Sequence, residues 1–358
     1  MSDRILAGTR KGLFDLRRRA GGWDVEKVHF LGDPVTAVLN HAGTLHAALD
    51  LGHFGVKLWA SRDDGARWEE RPAPLYPPQP EGAEEPYPWT LKTVWTIEPG
   101  LVAGVLWAGT IPGGLFRSAD DGRSWELVRA LWDHPGRKKW MAGGADQPGL
   151  HSVSVDPRNP ARIAIGVSTG GVWHTEDGGR SWELGAKGMY AEYMPPENRY
   201  DEIAQDAHRI VRCAAEPDHL WCQHHNGVFR SEDGGRTWTE VTAMQPSKFG
   251  FAVAVHPRDP KTAWFVPAVK DETRVPVDGK LVVARTRDGG ASVEVMREGL
   301  PQRHAYDLVW RHALDVDATG ERLAMGSTTG GVWISEDSGE SWRALPARLP
   351  PVSCLRFA

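Results

Sequence analysis

One pattern recurs along the chain and leaves little freedom in how it can fold. The run S/T-x-D-x-G-x-x-W occurs at 61–68, 118–125, 175–182, 231–238 and 335–342. A sixth copy, Thr286-Asp288-Gly290, carries Val293 in place of the tryptophan, and Gly22-Trp23 reads as the remnant of a seventh. The anchors at 23, 68, 125, 182, 238, 293 and 342 recur about every 50 residues, the period of an array of small sheet units. The 17 tryptophans of this 358-residue chain follow from that array, which uses one large aromatic at each turn and further ones inside the units.

The fourth unit shows the internal grammar most clearly. His151-Ser152-Val153-Ser154-Val155 alternates, Asp156-Pro157-Arg158-Asn159-Pro160 breaks the strand, and Arg162-Ile163-Ala164-Ile165-Gly166 resumes it. A turn at 168–171, the run Val172-Trp173-His174-Thr175, the D-x-G turn and a short strand from Trp182 complete the unit. Four strands per unit and seven units predict an all-β fold, a seven-bladed β-propeller with four-stranded antiparallel blades. The expected blades are 3–30 with 352–357, then 34–72, 91–130, 150–186, 207–242, 250–297 and 306–346, in one domain spanning 1–358. The chain opens on what should be a second strand, while Val352-Ser353-Cys354-Leu355-Arg356-Phe357 has no blade of its own. The tail is therefore expected to complete blade one and remove an open edge.

Charge and hydropathy narrow the function classes. The net charge is -5 with no basic cluster, which argues against nucleic acid as a partner. No apolar run reaches the roughly 18 residues of a membrane-spanning helix, so no membrane partner is expected. Three cysteines without C-x-x-C spacing read as reduced thiols, and the first residues read as a strand rather than a secretory signal; a cytoplasmic protein is the expectation.

The aspartates of the repeat, Asp63, Asp120, Asp177, Asp233, Asp288 and Asp337, read as structural. A carboxylate in a tight turn accepts hydrogen bonds from nearby backbone N–H groups, and the glycines that follow supply positive φ. This repeat resembles the Asp-box or BNR family of propellers, which includes sialidases, xyloglucan-degrading enzymes, sortilin-type receptors and photosystem II assembly factors. The opening Gly8-Thr9-Arg10-Lys11-Gly12-Leu13-Phe14 is similar to that of bacterial sialidase-like, WD40/YVTN/BNR-like repeat proteins. The resemblance implies a propeller whose D-x-G turns lie on the face opposite the active site. Sialidases of that family also use an Arg-Ile-Pro segment; here Ile111-Pro112 follows Thr110, so sialidase activity is not expected.

With the D-x-G turns on one face, the long connections at 72–89, 131–150, 187–207, 243–248, 270–280 and 298–305 fall on the other, where loops build binding sites. His53, His134, His151, His208, His224, His225 and His304 map there, beside Glu192, Tyr193, Glu197, Asp201, Glu202 and Asp206. His151, His208, Glu192, Lys270 and Tyr306 are read as catalytic, and Arg199, His225, Glu272, Arg303, His304 and Trp140 as substrate-binding.

Two chemistries fit this set. His151, His208 and His224, with Glu192 or a carboxylate in 201–206, could hold one divalent metal such as zinc and activate its water. Alternatively histidine and carboxylate act as acid and base, while Lys270, Arg303 and Arg199 hold an anion. Any single histidine can equally be a hydrogen-bonded loop anchor. Residues 131–140 interleave cations with tryptophans that either stack a sugar or pack back on the blades, and 72–88 reads as an ordered strap or a protein-docking segment. The expected function is a hydrolase-like enzyme acting on a small polar, glycoside-like or anionic molecule. The alternative is a non-enzymatic scaffold that binds a ligand or a protein partner.

Overall fold

The computed structural model describes residues 1–83, 85, 87–143 and 145–358. The protein is a seven-bladed β-propeller: among the described residues the strands form seven four-stranded sheets, six of them running in simple chain order. The seventh begins with the C-terminal strand. The chain divides into two compact units, Met1–Val38 with His208–Ala358, and Leu39–Ala207. Both cuts fall inside strands, Val35–His41 and Ala207–Arg212.

In the first unit, Val352–Phe357 pairs antiparallel with Arg4–Thr9, which continues to Gly12–Arg19 and Gly22–His29. Ile5 lies opposite Phe357 and Ala7 opposite Leu355, with the register shifting at Gly8 and Thr9. Gly8 is required there, because a Cβ would sit 2.6 Å from Cys354 Sγ. Polar contacts lock the clasp: Ser2 Oγ donates to Ala358 O at 2.7 Å, and Arg322 reaches Ser2 O and Asp3 at 2.6 and 2.8 Å. The next sheet runs Ala207–Arg212, Leu220–His224, Gly227–Ser231, Thr239–Glu240. After it come Gly250–Val255, Ala263–Pro267, Val283–Thr286, Glu294–Met296, and then Leu314–Val316, Leu323–Gly326, Val332–Ser335, Arg343–Ala344. Trp264, Trp333, Trp342 and the aliphatic residues of these strands form one apolar core.

The second unit carries the sheets that begin at Thr93–Pro99 and Gly149–Asp156, and the strands Thr44–Asp50, Val56–Ser61 and Glu69–Arg71 that follow Val35–His41 in its sheet. Its long connection takes the second of the two forms the sequence left open, with the tryptophans packed back on the blades. Arg129–Trp132 is a short helix and Pro135–Lys139 a 3-10 turn, and the tryptophans of this stretch pack inward. Trp132 is buried beneath the Arg137 guanidinium at 3.9 Å, and Arg137 is itself buried and paired with Glu85. Tyr76 pins the preceding strap. Its ring meets Phe116 and Trp132, and its hydroxyl shares a hydrogen bond with Thr110 and donates to Pro112 O.

The D-x-G turns are built as the residue types dictate. Asp177 Oδ1 accepts from Thr175 Oγ1 and from the backbone N–H groups of Arg180 and Ser181, while Ser181 Oγ donates to Oδ2 at 2.7 Å. Asp120 and Asp288 repeat the scheme, and the hydroxyls of Ser124 and Ser292 lead the donors that hold both carboxyls down at about 2. Val293 is buried where other units place tryptophan, so the turn does not need the indole to form.

Candidate functional site

Strand Ala207–Arg212 opens its blade with His208, which is almost fully buried. His208 Nδ1 lies 2.6 Å from Gly250 O. A carbonyl only accepts, so Nδ1 carries the hydrogen and the ring's lone pair resides on Nε2. The imidazole lies flat on Phe251, 4.4 Å away with 14° between the planes, and meets Phe249 edge-on at 5.7 Å. These contacts leave it one orientation. Strand alternation explains the clamp, since Phe249 and Phe251 are two residues apart and flank Gly250, whose carbonyl holds the ring.

His225 lies in the turn between Leu220–His224 and Gly227–Ser231, and its half-buried ring stands 5.4 Å from that of His208. Its neighbour His224 points elsewhere, as adjacent residues in extended chain do. His224 is buried, packs edge-on against Phe229 and accepts at Nδ1 from the backbone N–H of Asn226. The floor under the pair continues from Phe251 to Trp310, 4.8 Å away. Two guanidiniums approach the Phe251 ring, Arg311 at 5.0 Å and Arg274 at 5.4 Å, and Arg274 is ion-paired to Asp271. Arg209 donates to His312 Nδ1 at 2.8 Å.

Asp206 immediately precedes the strand Ala207–Arg212. Its Oδ1 accepts from the Thr169 backbone N–H and from Ser168 Oγ, at 3.1 and 3.3 Å. Tyr193 is close enough to feel that carboxylate: burial first, then the Asp206 charge, pushes its hydroxyl pKa up, and the hydroxyl donates to Ala204 O.

The other residues named from sequence lie differently. His151 belongs to the second unit and has no exposure; Nε2 donates to Ala207 O at 2.7 Å and Nδ1 accepts from Ser152 Oγ. With both nitrogens engaged in hydrogen bonds it is a structural histidine, which corrects its reading as a metal ligand. His224 is corrected too: it is buried with its ring edge on Phe229, 5.3 Å away, and it is His225 that stands beside His208. Trp140 is no sugar platform, because it is buried against Trp173. Lys270 and Glu272 form an exposed ion pair, 3.4 Å apart. Glu192, Arg303, His304 and Tyr306 are exposed, and Arg199 is half-buried in the second unit. The sequence reading did not single out Phe249, Phe251, Arg274, Trp310 or Arg311. Only the alternation around Gly250 could have flagged the first two.

No family model matches the chain. A probable oligoxyloglucan-reducing end-specific xyloglucanase from Neosartorya fischeri is 24% identical over 281 residues, 70% of this chain and 32% of that protein. The Emericella nidulans oligoxyloglucan-reducing end-specific xyloglucanase is 23% identical over the same shares. The chain thus spans about a third of the length of the curated relatives it matches. Among solved structures, an ancestral GH74 enzyme is similar with TM-score 0.60 and 14% identity, covering 95% of this chain and 39% of that one. YCF48 from Cyanidioschyzon merolae gives TM-score 0.57 and 14% identity over 89% and 87%, and YCF48 bound to D1 peptide gives 0.53 and 14% over 87% and 82%. These structures share the propeller fold.

Proposed function

We propose that the protein is a hydrolase-like enzyme for a small polar molecule, with His208 and His225 as the groups that activate water. The observation that carries this reading is the pair itself: two imidazoles 5.4 Å apart, one buried with its tautomer set by Gly250 O, the other half-buried. Burying a histidine in a single tautomer on an aromatic floor directs one lone pair, which is what activation of water requires. In the reaction the water oxygen bonds to the electrophilic centre, the bond to the leaving oxygen breaks, and the water's proton passes to the leaving group. The half-buried Trp310 supplies stacking surface for a sugar-like body, and the half-buried Arg274 supplies positive charge for an anionic group. The match to xyloglucan-cleaving relatives supports a glycoside-like substrate. The three cysteines are buried and form no disulfide among the described residues, which supports a reducing compartment, the cytoplasm.

The test is turnover of a panel of small glycosides and sugar phosphates. The wild type should hydrolyse at least one, and His225→Gln should slow it by roughly 10²- to 10⁴-fold with unchanged thermal stability. A wild type inert across the panel, or a fully active His225→Gln, rejects the reading.

A binding platform is the second reading, favoured by a groove of about 450 Å³ in the first unit, lined by residues including Val241, Met244, Lys248, Val269 and Val277. The likeness to YCF48, solved with a peptide bound, supports a peptide there.

A further inference from the structure

We propose that Arg274 is a specificity-determining residue that selects phosphorylated sugars over neutral and carboxylated ones. The inference deepens the proposed function and rests on it, since it names the substrate class of the same site. The residues involved all belong to one compact unit, Met1–Val38 with His208–Ala358.

Three features carry it. The first is placement. The Phe251 ring on which His208 lies also has the Arg274 guanidinium over it, at 5.4 Å. The half-buried Trp310 is 4.8 Å from Phe251 and 6.0 Å from the same guanidinium. One ring thus ties the imidazole, the cation and the stacking surface together. The second feature is support. Lys270 and Thr273 bridge across the tight turn before Arg274, and Val269 N–H donates to Val275 O at 2.9 Å. Further on, Ala305 N–H donates to Gly279 O at 3.0 Å. The segment is tied at both ends, so its guanidinium is ordered before a ligand arrives. The third is the open edge of that guanidinium. Nε and Nη2 donate to Asp271 Oδ1, and Nε also to Asp271 O, whereas Nη1 has no acceptor among the described residues. Two N–H donors of a half-buried cation are therefore available to a ligand. Asp271 decides which ligand. It sits three residues from Arg274, so a ligand with a single negative charge competes with an intramolecular carboxylate at high effective concentration. A phosphate monoester brings a charge of about -1.5 to -2 near neutral pH and three acceptor oxygens, enough to take the Nη1 edge and displace Asp271. A neutral sugar gains nothing from the cation.

The test is calorimetric titration of the full chain with glucose 6-phosphate, glucose 1-phosphate, glucuronate, glucose and inorganic phosphate. At least one sugar phosphate should bind about 10-fold more tightly, or better, than glucuronate, glucose or inorganic phosphate, which has no ring to stack. Arg274→Gln should weaken that sugar phosphate by roughly 10- to 100-fold, the worth of hydrogen bonds to a charged group, and leave glucose unchanged. Asp271→Asn moves a different quantity. Removing the competing carboxylate should tighten glucuronate several-fold and narrow the preference for phosphate. Both side chains are about a third exposed, so both variants should fold, and thermal melts check this. An ion pair that merely holds the turn together would give equal losses of sugar phosphate binding in the two variants, and that result overturns the inference. So does a wild type that binds all the probes alike or binds none, or an Arg274→Gln without effect. Sugar phosphates bound through Arg274 but never hydrolysed would remove the proposed function and leave this recognition site. Neutral glycosides hydrolysed as fast by Arg274→Gln as by the wild type, with no preference for phosphate, would do the reverse.

Discussion

His151 and His208 occupy the same step of the repeat, each near the start of the first strand of its blade, and each is buried with a ring nitrogen on a backbone carbonyl. They differ in the rest of the ring's surroundings. His151 has its second nitrogen on the adjacent Ser152 hydroxyl and its ring edge on Trp95. His208 lies between aromatic rings, beside a second histidine. Burial and strand position are common to both, so neither distinguishes a structural histidine from a reactive one. Where each nitrogen's lone pair is directed does.

The largest expected effect contrasts the two histidines on turnover. His225→Gln, which disturbs the His208 site without opening the core, should cost roughly 10²- to 10⁴-fold in kcat. His151→Asn should leave kcat within a few-fold once the fraction of folded protein is accounted for. Equal losses in the two variants would break the distinction, and steady-state kinetics with folded fractions from circular dichroism would reveal it.

Stability should move the other way. Removing the His151 ring leaves the Ala207 carbonyl and the Ser152 hydroxyl without that partner and opens a cavity beside Trp95, so His151→Ala should lose about 2 to 4 kcal/mol. His225→Ala, half-buried, should lose less than about 1 kcal/mol. Urea denaturation of both proteins measures the difference, and a His225→Ala as unstable as His151→Ala would mean that His225 is structural too.

The two regions also explain how much the sequence disclosed. The blades were legible because a period of two within strands and a glycine-bearing turn in each unit are local signals. The tail strand was legible because blade one lacked a partner for Arg4–Thr9. His208 and His225 stood out by residue type, as did the carboxylates of 201–206, with nothing in the spacing to choose among them. The aromatic clamp did not, because Phe249 and Phe251 read as ordinary strand residues until the fold brings them to the imidazole. Nor could spacing separate His224 from His225, since which of two adjacent residues faces inward depends on the turn between them. Trp140 was misread because a tryptophan among cations has the same sequence signature whether it is exposed or packed against another indole.

A smaller effect belongs to the D-x-G turns, which contain carboxylates and hydroxyls yet should behave like His151. Asp233 accepts from the N–H groups of Arg236 and Thr237 and from the Ser231 and Thr237 hydroxyls. Asp233→Ala should lower stability by about 1 to 2 kcal/mol and leave turnover unchanged in the folded protein. A calorimetric scan paired with steady-state kinetics tests both halves.

The smallest expected effect asks whether a charged group obeys the same accounting. Asp315, on strand Leu314–Val316, accepts from the Phe357 backbone N–H at 2.8 Å, yet its pKa is pushed up to about 6. Burial is the largest cause and outweighs the opposing pull of the Arg356 charge, the backbone N–H groups of Phe357 and Val316, and Arg209. A carboxyl that holds its proton more tightly when folded favours the fold at low pH. That contribution is complete below the ordinary value of 3.8, falls as pH rises through the window from there to about 6, and is gone above it. At neutral pH the folded protein carries a charge it would hold more easily unfolded. Asp315→Asn keeps an acceptor for Phe357 N–H and removes that charge, so it should stabilise the protein by about 1 to 2 kcal/mol at pH 7.5 and by almost nothing near pH 4. Thermal melts of wild type and variant across that range should converge toward acid. Curves that stay parallel would mean that Arg356 and Arg209 compensate the carboxylate fully, and that this charge, unlike the lone pairs of His151, is satisfied by long-range attraction rather than by hydrogen bonds.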